Sequence, residues 1–281
     1  MNKGKITLLG TGTSSGVPMI GCDCEVCRSK DPRDSRLRCS AYVQYAGFNI
    51  LIDCGPDFRQ QVLNNNLKEF DCVLLTHQHK DHTGGLDDVR SLNYFTKKPF
   101  SIYAEPRVLE GLKLEYSYAF AKEKYPGVPE FDIHLIDSRP FTLHKTIKAG
   151  KMLPNGETAA KDTEISLEIT PIRVYHYKLP ILGFRIGNLV YITDAKTIPE
   201  EEFSKLEGAS VAFLNCIRYT EHISHLSLPQ AIDIFRRIGA KRNMLTHLSH
   251  QIGTHAQLTS YLQSLHGISI EAGYDGQVIE F

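Results

Sequence analysis

The sequence predicts an α/β fold made of two related halves, and three observations predict it. Short apolar, β-branched runs stop abruptly at polar residues, as buried strands do when they reach a sheet edge. These endings come in matched pairs. Asn49-Ile50-Leu51-Ile52 ends in Asp53, and Leu189-Val190-Tyr191-Ile192-Thr193 ends in Asp194; Val73-Leu74-Leu75-Thr76 ends in His77, and Asn243-Met244-Leu245-Thr246 ends in His247. Between the strands lie stretches with helical apolar spacing. Two halves with one strand-to-polar-loop plan would line four such loops along one edge of paired sheets.

In chain order, Ile6-Thr7-Leu8-Leu9 is the first strand. The loop Gly10-Thr11-Gly12-Thr13-Ser14-Ser15-Gly16-Val17-Pro18 follows it in the manner of a phosphate cradle, but it lacks both the P-loop lysine and a strict GxGxxG. Helices are expected over Phe58–Leu67, Leu86–Phe95, Leu228–Ile238 after a Ser227-Leu228-Pro229 start, and Gln257–Leu265. Lys145 to Glu157 reads as a hairpin insertion or a longer loop. The expected organisation is one domain over 1–281, with halves at roughly 1–140 and 165–281 and an insertion near 141–169 whose reach into a pocket would alter substrate choice.

Composition narrows the classes. With 281 residues, 42% of them hydrophobic, the chain can bury one large core. Its formal net charge of zero offers no basic face for a long polyanion, which speaks against nucleic acid. No apolar run approaches the roughly 18–20 residues of a membrane span. The start, Met1-Asn2-Lys3-Gly4-Lys5, leads straight into a strand without a signal-peptide apolar region, so a cytoplasmic location is expected. In that compartment the seven cysteines are expected as thiols or metal ligands. The aromatic run Leu114–Phe120 could line a pocket, form a homodimer face or pack in the core.

The most informative motif is His77-Gln78-His79-Lys80-Asp81-His82, followed by Thr83-Gly84-Gly85. Four potential ligands in six residues after a buried strand need a joint explanation, because desolvating each alone costs several kcal/mol. In a tight loop His77 and His79 can converge on one ion while Asp81 and His82 turn towards a second. Imidazole with carboxylate suits zinc, iron or manganese. This HxHxDH motif resembles the metallo-β-lactamase superfamily of binuclear metallohydrolases. The resemblance implies a four-layer αββα sandwich with the metals at the sheet edge. It also implies a later histidine, a bridging aspartate and a final histidine, which His176, Asp194 and His247 match, and an orienting aspartate that does not bind metal, which Asp53 matches.

A second cluster, Cys22-Asp23-Cys24-Glu25-Val26-Cys27, can present three thiols to one tetrahedral ion, with His250 as candidate fourth ligand. Together with the preceding glycine-rich loop it resembles the PhnP-like branch of the superfamily, phosphoribosyl cyclic phosphate phosphodiesterases that carry a Cys3His structural zinc. Ile102–Leu112, Tyr125–Pro129 and Leu182–Arg185 also resemble that branch. His225, in His225-Leu226-Ser227-Leu228-Pro229, stands where the branch has a histidine that assists catalysis. His222 is the less favoured candidate. Cys39, Cys54, Cys72 and Cys216 read as small buried residues, and His134, His144, His255 and His266 as surface or core.

The implied function is a metal-dependent phosphoric diester hydrolase acting on a small cyclic phosphate. Two divalent ions, Zn2+ or Mn2+, about 3.5–4 Å apart would hold a bridging hydroxide that attacks phosphorus, with metal charge stabilising the phosphoryl oxygens. His225 would protonate the leaving oxygen, and Asp81 could move protons from the bridging water. A thioesterase of the glyoxalase II type, a lactamase, a tRNA 3′-processing nuclease and a non-catalytic metal-binding or redox protein are the alternatives. The cysteine cluster and His225 speak against the thioesterase, the missing secretion signal against the lactamase, and neutral charge against the nuclease.

Overall fold

The central strands are apolar on both faces, and the fold buries both. The computed structural model describes residues 3–281. The first sheet takes β1 (Lys5–Gly10), β2 (Ser40–Tyr45), β3 (Phe48–Ile52), β4 (Cys72–Leu74), β5 (Phe100–Ala104) and β6 (Phe131–Leu135). The second takes β7 (Phe141–Ile147), β8 (Thr163–His176), β9 (Leu179–Ile186), β10 (Leu189–Tyr191), β11 (Val211–Asn215), β12 (Arg242–Thr246) and β13 (Ile270–Ala272). The last strand, β14 (Val278–Glu280), crosses back to pair with β1. The helices are α1 (Phe58–Asn64), α2 (Lys80–Thr83), α3 (Arg90–Thr96), α4 (Pro106–Glu115), α5 (Ser117–Phe120), α6 (Leu228–Ile238) and α7 (His255–Gln263).

Strand alternation sorts the core into layers. Ile50, Ile52, Leu74, Leu189, Tyr191, Phe213 and Met244 meet between the sheets. Their neighbours Leu51, Val73 and Leu75 face outward onto Phe58 of α1 and Val108 and Leu112 of α4. On the other side, Val190, Ala212, Leu214 and Leu245 face Ile232 and Phe235 of α6 and Leu258 of α7. The result is the expected αββα sandwich. Each sheet is antiparallel on one side and parallel on the other: β3 to β6 and β10 to β13 run parallel. The carboxyl ends of these parallel strands form the edge where α/β folds place ligands. Among the described residues no helix is long and apolar enough to cross a membrane.

Element boundaries follow local chemistry. The helix expected over Leu86–Phe95 divides into a 3-10 turn, Leu86–Val89, and α3. The last helix begins at His255 rather than Gln257, because Thr254 and Gln257 form a reciprocal cap. The 141–169 stretch is the long β7–β8 hairpin, which supplies the edge strand of the second sheet. Its tip packs near Gly47, where an added Cβ would lie 2.9 Å from both Ile165 and Pro154. Gly47 precedes β3, whereas Asp53 follows it, so the tip sits at the end of the sheet away from the histidine loops. The condition for an effect of the insertion on substrate choice is therefore not met by this geometry. In the aromatic run, Tyr116 is buried and its hydroxyl donates to Thr83 O at 2.7 Å, while Leu114 is exposed.

The metal-motif loop is pressed against the segment after β3. Cys54 N–H donates to His82 O at 2.8 Å and Gly85 N–H to Cys54 O at 2.9 Å. An added Cβ on Gly55 would lie 2.1 Å from Asp81 O, and one on Gly85 2.0 Å from Gly55 O. Gly55→Ala should therefore push the Asp81 turn outward and cost about 1–3 kcal/mol, as overpacking does. Thermal unfolding and metal analysis of the purified variant check this: a lower melting temperature together with reduced metal content is expected.

Candidate metal centre

The site is built from strand ends whose backbone is held in a costly conformation. Asp53, Asp194 and His247 have φ of 59, 57 and 53°. Left-handed geometry in non-glycine residues costs on the order of 1–3 kcal/mol each and concentrates at functional sites. Here it turns each side chain off its strand and back over the sheet edge. His79 precedes α2, so Asp81 and His82 fall on that short helix and face the same cluster.

All seven expected ligands converge. The rings of His77 and His79 are 4.5 Å apart, those of His79 and His176 are 5.2 Å apart, and those of His77 and His176 are 5.9 Å apart. Asp194 is the hub. Its Oδ2 lies 3.3 Å from His82 Nε2, 3.8 Å from His77 Nε2 and 3.7 Å from His225 Nε2, and its Oδ1 lies 2.8 Å from His247 Nδ1. Asp81, Asp194 and His247 bring donor atoms within 4.8 Å of one another, as do His77, His82 and Asp194, and also His176, Asp194 and His225. Each triad contains Asp194, the position expected of a bridging carboxylate.

Hydrogen bonds fix which nitrogen faces the centre. His82 Nδ1 lies 2.7 Å from Asp53 Oδ2, so this nitrogen carries a proton and Nε2 faces the cluster, bare unless it takes a second proton. Thr76 Oγ1 lies 2.9 Å from Asp53 Oδ2 and 2.9 Å from His77 Nδ1. The hydroxyl donates to the carboxylate and accepts from His77, which leaves His77 Nε2 bare as well. Both Nε2 atoms are buried without a hydrogen-bond partner. His82 Nε2 nevertheless lies 3.2 Å from Asp81 Oδ2. With carboxylate oxygens at that distance, Nε2 needs either a second proton or a cation between them. Asp53 thus bonds His82 Nδ1 and Thr76 Oγ1, the contacts an orienting residue would make.

Electrostatics give the same demand. Burial opposes it, yet Asp194 and Asp53 together hold the His82 imidazolium well above the usual range. Burial pushes His77 well below that range. Despite burial, His247 and His82 hold the Asp194 carboxyl well below the usual carboxylate range. Carboxylates ionised among imidazoles fit divalent cations. Burial lowers His225 to about 4, against the near-neutral imidazole expected from the sequence.

The cysteine cluster also closes. Cys22 Sγ is 3.2 Å and Cys24 Sγ 3.4 Å from His250 Nδ1, and Cys27 completes a set within 4.8 Å. The backbone N–H of Cys27 and the His250 ring lower the Cys24 thiol to about 6, whereas burial pushes Cys27 up to about 11. A donor set of three thiols and one imidazole fits tetrahedral zinc.

Sequence reasoning missed the supporting hydroxyls. Thr76, Thr193 and Thr246 are fully buried, and each immediately precedes a site residue. Thr193 Oγ1 donates to Asp194 Oδ1 at 2.8 Å. The repeated Thr-His pair at 76–77 and 246–247, with Thr193-Asp194 beside it, was the available signal. Cys39, read only as a small buried residue, sits behind the site, with its sulfur 3.2 Å from Tyr191 OH and 3.4 Å from Thr246 Oγ1.

Two measurements probe these clusters. Asp194→Ala should remove metal from the centre, since every triad loses a member; elemental analysis retaining two ions there would contradict the hub role. In metal-free protein, alkylation of Cys24 should rise through a midpoint near pH 6, because its lowered pKa leaves thiolate above that pH, well before Cys27 reacts. Added zinc should protect all three thiols.

Comparison with known proteins agrees with this geometry. Residues 48–248 match the Beta-lactamase superfamily domain. The octanoyltransferase of Porphyromonas gingivalis is 40% identical over 271 residues, covering 96% of this chain and 50% of that protein, so the chain spans about half the length of this relative. The crystal structure of a new diphosphatase from the PhnP family is 33% identical with a TM-score of 0.81, covering 99% of this chain and 97% of that one. Human tRNase Z, short form, shares the fold at 18% identity and a TM-score of 0.64, with 98% of each chain covered. A matched domain, a layered fold and a carboxylate–imidazole centre at the sheet edge together place the chain in the metallo-β-lactamase superfamily, in its PhnP-like branch.

Proposed function

We propose that the chain hydrolyses a small phosphate ester, with a cyclic ribose phosphate of the phosphoribosyl 1,2-cyclic type as its specific substrate. The observation that carries this reading is the position of His225. It is nearly buried, with Nε2 3.7 Å from Asp194 Oδ2 and its ring stacked 5.0 Å from that of His247. A proton-transfer group beside the centre suits a poor leaving group such as a ribose hydroxyl. The diphosphatase relative supports phosphorus as the atom attacked.

His77, His79 and His176 would hold one ion, Asp81, His82 and His247 the other, and Asp194 both; zinc and manganese suit this set. Ions there supply a water of lowered pKa and positive charge for the phosphoryl oxygens. The chain's own residues do the rest. Asp53 and Thr76 hold His82 and His77 in one tautomer. His225, with Nε2 on the side of Asp194, would take the proton of the attacking water and return it to the leaving oxygen. Cys22, Cys24, Cys27 and His250 would hold a structural zinc that pins the N-terminal loop beside His247, and binding there would count towards folding free energy.

The octanoyltransferase relative favours a second reading, in which the hydrolase works beside acyl transfer and meets an octanoyl ester. Activity on p-nitrophenyl octanoate with none on phosphate esters would select it. Under the phosphodiesterase reading, His225→Ala should keep its metal and lower kcat/KM on a cyclic ribose phosphate by roughly 10²–10⁴-fold. Bis-p-nitrophenyl phosphate, whose leaving group needs no proton, should lose much less. Equal losses on both would assign His225 to charge stabilisation instead.

A further inference from the structure

The loop before His225 contains a second histidine that the mechanism has not used. His222 is partly exposed, and its Nδ1 lies 3.2 Å from His225 Nδ1. Two imidazole nitrogens at that distance need one proton between them, so one donates and the other accepts. Ser224 decides which. Its backbone N–H, which can only donate, points at His222 Nδ1 from 3.3 Å. His222 Nδ1 is therefore bare, and His225 Nδ1 carries the proton. That leaves His225 Nε2 bare on the side of Asp194, the form able to take a proton from the nucleophile.

The ring of His225 has little freedom otherwise. It stacks on His247 at 5.0 Å and 19°, and meets His176 edge-on at 4.6 Å and 76°. Its tautomer is what remains to be set. The other neighbour of Nδ1 is Ser224 Oγ at 3.0 Å, a hydroxyl that can donate or accept and so selects neither form. The loop is also keyed to the metal-facing residues: His176 Nδ1 reaches Ser224 O at 3.0 Å and Asp194 O at 2.9 Å.

We propose that His222 is a positioning residue whose bare Nδ1 holds His225 in the Nδ1–H tautomer, with Nε2 free to exchange the proton of the reaction. This rests on the reading of His225 as the proton-transfer group. The test compares wild type, His222→Phe and His222→Asn, all zinc-loaded. Phenylalanine keeps a ring but removes the acceptor, whereas the asparagine amide oxygen can restore it.

Imidazole ¹⁵N correlation spectra report the His225 tautomer without turnover, and kcat and KM are measured on a cyclic ribose phosphate and on bis-p-nitrophenyl phosphate. In His222→Phe the Nδ1–H form of His225 should no longer dominate. Its kcat on the cyclic phosphate should fall by about 10–100-fold, the loss typical of an orienting partner, with KM within twofold and a smaller loss on the nitrophenyl ester. His222→Asn should recover the tautomer and most of the rate. An unchanged tautomer in folded, zinc-replete His222→Phe would overturn the proposal, as would equal impairment of both variants or an effect on KM alone. If His222→Phe does not fold, His222→Leu removes the acceptor with less bulk and is read the same way. A wild-type enzyme inactive on both esters would refute the functional reading, and the tautomer spectra would still decide the role of His222.

Discussion

The buried carboxylate of Asp194 governs the centre. It is 2% exposed and reached by four imidazoles, and His247 and His82 keep it ionised against the cost of its own burial. A single buried anion is expensive, and Asp53 and Asp81 add to the negative charge around the same histidines. Because Asp53 orients His82 through Nδ1, the Nε2 atom cannot answer that charge without taking a second proton or meeting a cation. The backbone contributes as well. Asp53, Asp194 and His247 adopt left-handed geometry, and the bonds that hold them there include Thr76 to Asp53 and Thr193 to Asp194. The centre concentrates strain and charge together, and a divalent cation relieves the second.

The fold explains how so many polar groups share one place without weakening the core. Parallel strands buried on both faces cannot carry polar side chains along their length, but their carboxyl ends can. Two sheets packed face to face bring the ends of β3 and β4 against those of β10 and β12. The chain crossing is covered by backbone bonds between the halves. Leu182 N–H donates to Thr76 O at 3.1 Å, and Leu248 N–H to Thr11 O at 2.7 Å. The second contact ties the N-terminal glycine-rich loop to the strand end that bears His247. His250 continues that tie into the cysteine cluster, so the loop meets the catalytic half both through backbone and through thiol-imidazole contacts.

The paired strands ending in Asp53 and Asp194, and in His77 and His247, were legible because they are buried on both faces and end in groups an apolar core rejects. Leu228–Ile238 was legible to the residue, with Ser227 capping it and Gly239 ending it in left-handed geometry. The seven centre residues converge because each sits at such an end. What stayed hidden depends on the third dimension. The direction of the β7–β8 hairpin follows from its packing on Gly47, which one strand's pattern does not encode. The lowered pKa of His225 follows from burial, beside His176 and His247, residues 49 and 22 positions away. Thr76 and Thr193 were visible as the residues before His77 and Asp194, but which atom each hydroxyl bonds depends on the folded site.

With the hairpin tip at the far end of the sheets, the surface around the centre is made by the loops at the strand ends. Tyr177 continues from His176 in left-handed geometry and is half exposed, and Ile223 projects from the His222–His225 loop with 67% of its surface exposed. Arg218 anchors that loop, donating to Glu221 O at 2.7 Å and to Thr220 O at 3.3 Å. These contacts hold the loop from its outer side, while Ser224 and His225 hold it from the metal side. Tyr177 follows His176 with Lys178 Nζ 5.4 Å from its ring centre, and Ile223 follows His222, so each exposed side chain is one residue from a histidine of the cluster or its loop.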